Sequence, residues 1–323
     1  ITTRLVGSEM CIRDRMTHQV YYILKSGVGQ VLNTDSYFGE KSSRKNGRVL
    51  KTMKKIAVIN DLSGFGKCSL TAAIPVISAL GLECCPMPTA VLSNQTGFES
   101  FYCDDFTDKM DFFTSEWKKL GVRFDGILTG FIASHRQAEK IFRFLDEFQN
   151  DDTVFFCDPV MADDGKIYDI YDKAMCDAVT RLAKRADIIS PNLTELCVLT
   201  GESYEALSSS EPDDIAKAAS SLLNDTLSTV IVTGIKKDDT VLNVVADKSG
   251  FKTVSSKKYG GSFSGTGDLF AAAVAGLTVK GEAPLCATEK AVEFLEGAIR
   301  DSYEENTDRN FGVNFEKYLG KLM

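Results

Sequence analysis

Apolar positions recur along this chain with two different periods. From Lys54 onward, short runs rich in Ile, Val, Leu and Phe alternate with longer stretches in which apolar residues return every three to four positions. The short runs predict strands over 56–60, 84–91, 126–129, 153–157, 187–189 and 229–233. The longer stretches predict helices over 69–80, 109–120, 134–148, 173–185 and 215–223. Strands of this kind, joined by amphipathic helices, specify an α/β fold with a mainly parallel central sheet and helices on both faces. Two more runs, 241–246 and 251–255, flank a polar turn and predict a hairpin, and helices over 268–279 and 284–303 close the pattern. No repeat, low-complexity tract or linker interrupts it, so 53–323 is expected to be a single domain.

The pattern is missing from the first 52 residues. Charges are interspersed through 1–15, which therefore lacks the continuous apolar segment of a signal peptide, and 39–51 is polar. Met16 and Met53 both stand as starts, and Met53-Lys54-Lys55 leads directly into the first predicted strand. Residues 1–52 are expected to form an extension, disordered or non-native in sequence. Charge marks the same boundary: 9 basic and 4 acidic side chains before residue 53 leave a net −13 for the rest.

An acidic body argues against nucleic acid or a membrane surface as partner. Stretches such as 230–233 and 271–277 are too short to cross a bilayer. Nine cysteines, odd in number and without a CxxC pair, read as free thiols in a reducing compartment, and a cytoplasmic location is expected. The only histidines are His18 and His135, which excludes a His-rich zinc site or a two-histidine relay from the body. Its chemistry must rest on carboxylates, hydroxyls, lysines and backbone amides.

In open α/β sheets ligands bind beyond the carboxyl ends of the strands. Those ends carry Asn60-Asp61, Ser93-Asn94-Gln95-Thr96, Thr129-Gly130, Asp158-Pro159, Ser190-Pro191-Asn192 and Thr233-Gly234. The first loop, 61–68, contains Gly66-Lys67 but fails the phosphate-loop pattern GxxxxGK[ST] at Asp61 and at Cys68. Near the end of the domain, Gly265-Thr266-Gly267-Asp268 opens a small-residue helix, and Phe270 breaks the dinucleotide pattern GxGxxG. What remains is an anion cradle of free amides at a helix N-terminus, with a carboxylate beside it. Asp268 could alternatively serve only as the helix N-cap.

This segment, with Leu269-Phe270-Ala271-Ala272 after it, resembles the signature of the ribokinase-like superfamily, and within it the pyridoxal/pyridoxamine kinases. Ser93-Asn94-Gln95-Thr96-Gly97-Phe98, Asp158-Pro159-Val160-Met161 and Ser190-Pro191-Asn192-Leu193-Thr194-Glu195 agree in order and spacing. The last two segments are shared with hydroxymethylpyrimidine kinases and identify the vitamin-kinase branch; the first favours pyridoxal kinases.

The resemblance implies ATP-dependent phosphorylation of the 5′-hydroxymethyl group of a B6 vitamer, feeding pyridoxal 5′-phosphate salvage. Asp268 would accept the hydroxyl proton, with an ordinary carboxylate pKa of about 3.9, and Gly265, Thr266 and Gly267 would supply amides to the transferred phosphoryl group. Asp158, Asn192 and Glu195 would hold Mg²⁺, directly or through water, although Glu195 could instead sit in the first turn of a helix. A monovalent cation beside them is left open. Thr233 and Gly234 would meet the nucleotide, and Asp163 and Tyr168 would lie on a loop closing over it.

Asp61 and Thr96 would bond the pyridine substituents while Phe131 packs on the ring. Many pyridoxal kinases carry serine where Asp61 stands and tyrosine where Phe131 stands. A fixed anion at Asp61 would favour a protonated ring or an amine-bearing vitamer. Phe98 reads as an ordinary core residue. A homodimer is implied by the family. Two alternatives remain at this point: a hydroxymethylpyrimidine (phosphate) kinase and a non-catalytic binder of pyridoxal phosphate.

Overall fold

The computed structural model describes residues 53–323, so the expected extension lies outside the described residues. Eleven strands are present there: β1 (Lys55–Ser63), β2 (Glu83–Leu92), β3 (Cys103–Asp105), β4 (Gly126–Thr129), β5 (Val154–Cys157), β6 (Ala162–Asp163), β7 (Lys166–Ile167), β8 (Ile188–Ile189), β9 (Thr229–Lys237), β10 (Thr240–Asp247) and β11 (Gly250–Lys257). Nine form one sheet in the order β11-β10-β9-β8-β5-β4-β1-β2-β3, and β6 with β7 makes a separate hairpin. From β2 across to β9 every pairing is parallel, and antiparallel strands finish each edge.

The helices are α1 (Ser69–Ala79), α2 (Met110–Lys119), α3 (His135–Phe148), α4 (Lys173–Arg185), α5 (Leu193–Thr200), α6 (Tyr204–Ser208), α7 (Pro212–Ser220), α8 (Thr266–Lys280) and α9 (Pro284–Glu304). They divide between two cores. Ala57, Ile59, Ile127, Phe155 and Val230 join residues of α3, α4, α5 and α7. Ile56, Val58, Leu128, Phe156 and Ile231 join residues of α1, α8 and α9 on the opposite face. Ile56, Ala57, Val58 and Ile59 are all 0% exposed, which is why the first strand reads as an unbroken apolar run and not as an alternation. Each large apolar side chain so buried contributes about 1.5–3 kcal/mol.

The α/β arrangement is the one the pattern predicts, with departures at the rim. β1 does not stop at Asn60 but continues to Ser63 through a register shift between Asn60 and Leu62, which places Asp61 inside the strand at an irregularity. The helix expected over 215–223 starts earlier, with Pro212 in its first turn followed by Asp213 and Asp214, both favoured at a helix start. The strand β3, the β6–β7 hairpin and the helices α5 and α6 were not foreseen by periodicity.

Candidate active site

The strand order reverses between β1 and β4, and the loops leaving those two strands diverge to open a crevice. Asn60 spans it. Its Oδ1 accepts from the backbone amides of Asp61 (3.0 Å) and Phe131 (2.9 Å), and its Nδ2 donates to Asp268 Oδ1 at 3.0 Å. Asn60 is buried, and Gly130 permits this packing, because a Cβ at Gly130 would overlap the Asn60 amide. Rim position alone nominated Asn60; its role as the link among three loops was not legible.

Gly265 takes φ 80° and N-caps α8; a side chain there would collide with the Lys67 carbonyl, so only glycine fits. The first intrahelical bond runs from Leu269 N to Gly265 O at 3.0 Å. The amides of Thr266, Gly267 and Asp268 precede it and lack intrahelical acceptors. A Cβ on Gly267 would meet nothing within 4 Å, so the turn is uncrowded on that side. Asp268 therefore lies in the first turn and is not the N-cap.

Asp268 retains some solvent access but is crowded on most sides. Burial pushes its carboxyl up to about 6, with the charge of Asp61 adding to the rise, while the Ser69 amide and Asn60 oppose it. The ordinary value expected from sequence is corrected by this crowding. At about 6 the group is still roughly nine-tenths ionised at pH 7 and is a stronger base than a free aspartate.

Asp158, after β5, accepts from Ser190 Oγ at 3.1 Å through Oδ1, and Oδ2 has no hydrogen-bond partner among the described residues. Burial raises its pKa, and the charge of Asp268 raises it further. Glu195 is likewise held well up by burial and then by Asp158, so the two carboxyls disfavour double ionisation unless a cation joins them.

Asn192 and Glu195 form a capping box at the start of α5: Asn192 Oδ1 accepts from Glu195 N (2.9 Å) and Glu195 Oε2 from Asn192 N (2.8 Å). Their remaining groups fasten the β6–β7 hairpin, with Asn192 Nδ2 donating to Ala162 O (2.7 Å) and Met161 N donating to Glu195 Oε1 (3.1 Å). Among the described residues no three His, Cys, Asp or Glu side chains converge as a metal cage. Mg²⁺ needs none, since it keeps several waters and takes one or two carboxylates plus phosphates. The donor set fits such an ion: one half-open carboxylate at Asp158, with Asn192 and Glu195 behind it already bonded to backbone.

Asp163 and Tyr168 lie on or just after the β6–β7 hairpin, both reaching solvent while part of each side chain is covered. The hairpin tip, Asp164 (φ 45°) and Gly165 (φ 80°), is tied down by Gly165 N donating to Thr194 Oγ1 (2.9 Å) and by an exposed Lys236–Asp164 ion pair at 3.1 Å. The Tyr168 hydroxyl is held un-ionised by burial and by the surrounding charges of Glu195, Asp163, Asp158 and Asp268. Thr233 bridges to Asn192 in parallel register, its amide donating to Pro191 O at 2.9 Å, and Gly234 (φ 72°) is exposed beside it.

On the other side of Asp268, Asp61 is buried, accepting from Ser69 Oγ (2.5 Å) at Oδ1 and from Ser63 Oγ (2.9 Å) at Oδ2; burial raises its pKa. Desolvation thus opposes the fixed anion expected there. Phe131 is half-buried, edge-on to Tyr171 with ring centroids 6.3 Å apart. Thr96 stands exposed, and no hydrogen bond joins its side chain to the Asn60–Asp268 group. Gln95 next to it is the buried member of that loop, accepting from Gly97 N (2.6 Å) and donating to Ser264 Oγ (3.3 Å) and Asn310 O (3.2 Å). Phe98 is not core: it meets Phe65 and Phe311 at 5.6 and 6.0 Å in an aromatic trio on the surface, where Phe65 is 51% exposed.

The model of the phosphomethylpyrimidine kinase family matches residues 65–313. Pyridoxal kinase PdxY of Aliivibrio fischeri is 24% identical over 269 residues, covering 78% of this chain and 90% of its own length. The hydroxymethylpyrimidine/phosphomethylpyrimidine kinase of Bacillus subtilis is 28% identical over 184 residues, 56% of this chain and 65% of its own. A Bacteroides thetaiotaomicron crystal structure, provisionally assigned as a phosphomethylpyrimidine kinase, superposes with a TM-score of 0.81 at 34% identity and covers 85% of this chain and 96% of that one. An orthorhombic form of that protein with pyridoxal gives a TM-score of 0.79, again at 34% identity, over 84% of this chain and 96% of that one. With its ribokinase-like α/β fold, the chain belongs to the phosphomethylpyrimidine kinase family.

Proposed function

We propose that this protein transfers the γ-phosphoryl group of ATP to the 5′-hydroxymethyl group of a B6 vitamer, pyridoxal, pyridoxine or pyridoxamine. The observation that carries the reading is Asp268 placed in the first turn of α8, partly open to solvent and beside three amides without intrahelical acceptors. The Bacteroides relative crystallised with pyridoxal supports the choice of acceptor.

Asp268 accepts the hydroxyl proton as the oxygen attacks, and Asn60 fixes the carboxylate by bonding Oδ1. The amides of Thr266, Gly267 and Asp268, at the positive end of α8, take up charge on the transferred group. Asp158, Asn192 and Glu195 would hold Mg²⁺, directly or through water. The ion, when bound, neutralises charge on the ATP phosphates. Thr233 and Gly234 line the nucleotide side, Asp163 and Tyr168 cover it, and Asp61, Thr96 and Phe131 face the vitamin. Residues 53–323 suffice as the catalytic domain, and we place the chain in the cytoplasm as a homodimer.

A hydroxymethylpyrimidine kinase is the second reading, favoured by the family description and the Bacillus relative. A non-catalytic binder is disfavoured, since it has no use for a base beside an anion cradle. Release of ADP, measured with each B6 vitamer and with hydroxymethylpyrimidine in parallel, tests the proposal. Turnover with the pyrimidine alone, or no vitamin-dependent ADP at all, would refute it.

A further inference from the structure

The candidate site is rich in acid: Asp61, Asp158, Asp163, Glu195 and Asp268 all border it. A nucleotide triphosphate brought there adds several more negative charges, and its affinity depends on cations placed to meet them. Lys67, the lysine of the first loop, is already committed. Its Nζ donates to Val313 O (3.3 Å) and Asn314 Oδ1 (3.2 Å) and pairs with Glu316 at 2.9 Å. Lys236 pairs with Asp164. Arg309 is exposed and has no ion-pair partner among the described residues.

The backbone that carries Arg309 is fixed against the glycine-rich turn. Ser264 N, one residue before Gly265, donates to Arg309 O at 3.0 Å. Asn310 Nδ2 donates to Gly97 O (2.9 Å) and Asn310 O accepts from Gln95 Nε2 (3.2 Å). Phe311 packs edge-on to Phe65 at 5.2 Å, and Gly312, at φ 78°, approaches Gly66 so closely that a Cβ would lie 2.8 Å from its carbonyl. A short turn, Arg309–Phe311, is thereby bonded to three loops of the site at once. The guanidinium is also near enough to the β6–β7 hairpin to bear on Asp163: partial burial raises that carboxyl, and the charges of Lys236 and Arg309 both offset the rise.

We propose that Arg309 is a phosphate ligand for the nucleotide, held between the glycine-rich turn and the β6–β7 hairpin by the 309–312 turn. The inference rests on the kinase reading above. A planar guanidinium with five donors can take two phosphate oxygens at once, which a lysine cannot.

The test compares the full chain with Arg309→Gln and Arg309→Lys. Binding of a non-hydrolysable ATP analogue and of adenosine is measured by calorimetry, alongside steady-state kinetics and thermal midpoints. Arg309→Gln is expected to raise KM for ATP and Kd for the analogue by roughly 10- to 100-fold, with Arg309→Lys recovering part of the loss. Adenosine affinity, vitamin KM and the thermal midpoint should stay unchanged. Unaltered analogue binding in Arg309→Gln, or equal weakening of adenosine and analogue, would overturn the proposal. Should the wild-type chain bind the analogue in an Arg309-dependent way yet phosphorylate no vitamer, the acceptor assignment fails and the role of Arg309 stands.

Discussion

Asn60 and Asp268 lie 208 residues apart in sequence, and a single hydrogen bond of 3.0 Å from Nδ2 to Oδ1 joins the irregularity in β1 to the first turn of α8. Because the same asparagine also accepts from the amides on either side of the crevice, the carboxylate cannot rotate without disturbing both loops. Asn60→Ala is therefore expected to lower kcat by about 10- to 100-fold, since slight misplacement of a reacting group is costly. KM for ATP should change little. Steady-state kinetics check this, and unchanged kcat would remove Asn60 from the mechanism.

Asp268→Asn should lower turnover by roughly 10²–10⁴-fold while leaving ATP-analogue binding intact, as expected for a general base. Near-normal turnover of the purified variant would refute the assignment.

The raised pKa of Asp268 has a sign that stability measurements can read. Its folded value of about 6 exceeds the unfolded value of 3.8, so the stability it confers is complete below pH 3.8 and is lost as pH rises through 6. Replacing it with asparagine should thus stabilise the ligand-free protein at pH 8, by roughly 1–3 kcal/mol or several degrees in Tm, and make little difference at pH 4. Scanning calorimetry of both proteins at the two pH values decides it; equal midpoints at pH 8 would contradict the crowding described. In the same way, kcat should fall on the acid side with a midpoint near pH 6 and not near pH 4.

Much of the sheet could be read from sequence because its parallel strands are buried on both faces and appear as unbroken apolar runs. β3 could not, since Cys103, Asp104 and Asp105 are all exposed and carry no alternation. The β6–β7 hairpin is made by its turn and its ties to α5, neither of which leaves a periodic trace. α5 was legible in another form: Asn192 followed three residues later by Glu195 is a helix-start signature, and the same letters also served as a family motif. Asp268, Asp158 and the glycines stood at strand ends or a helix start and could be nominated by position. Asn60 and Gln95 act through contacts with residues more than 160 positions away, and Arg309 through Ser264 in another element, which no local pattern encodes.

Glu195→Ala removes one half of the capping box and leaves the amides of Met161 and Asn192 without acceptors. The expected cost is roughly 2–4 kcal/mol. Limited proteolysis should then cut the 162–167 hairpin faster, and KM for ATP should rise. A thermal midpoint equal to wild type would show that the box does not hold the hairpin.

Asp61→Ser should alter the ratio of kcat/KM among pyridoxal, pyridoxine and pyridoxamine with little change in KM for ATP, since discrimination is differential transition-state binding. Thr96→Ala, at an exposed position, should act in the same direction but more weakly. A uniform loss across vitamers together with weaker ATP binding would place Asp61 on the nucleotide side.

The 309–312 turn also orders events in time. Translation delivers β1 and its rim early and Arg309 late, so the loops at 64–67 and 95–97 leave the ribosome long before the residues that clamp them exist. A nascent chain can gather its parallel strands as they emerge, but Gln95 must wait 215 residues for Asn310. Until then the polar groups of the rim are satisfied by water. A ribosome stalled before residue 309 would accordingly display a largely assembled sheet that cannot yet grip a triphosphate.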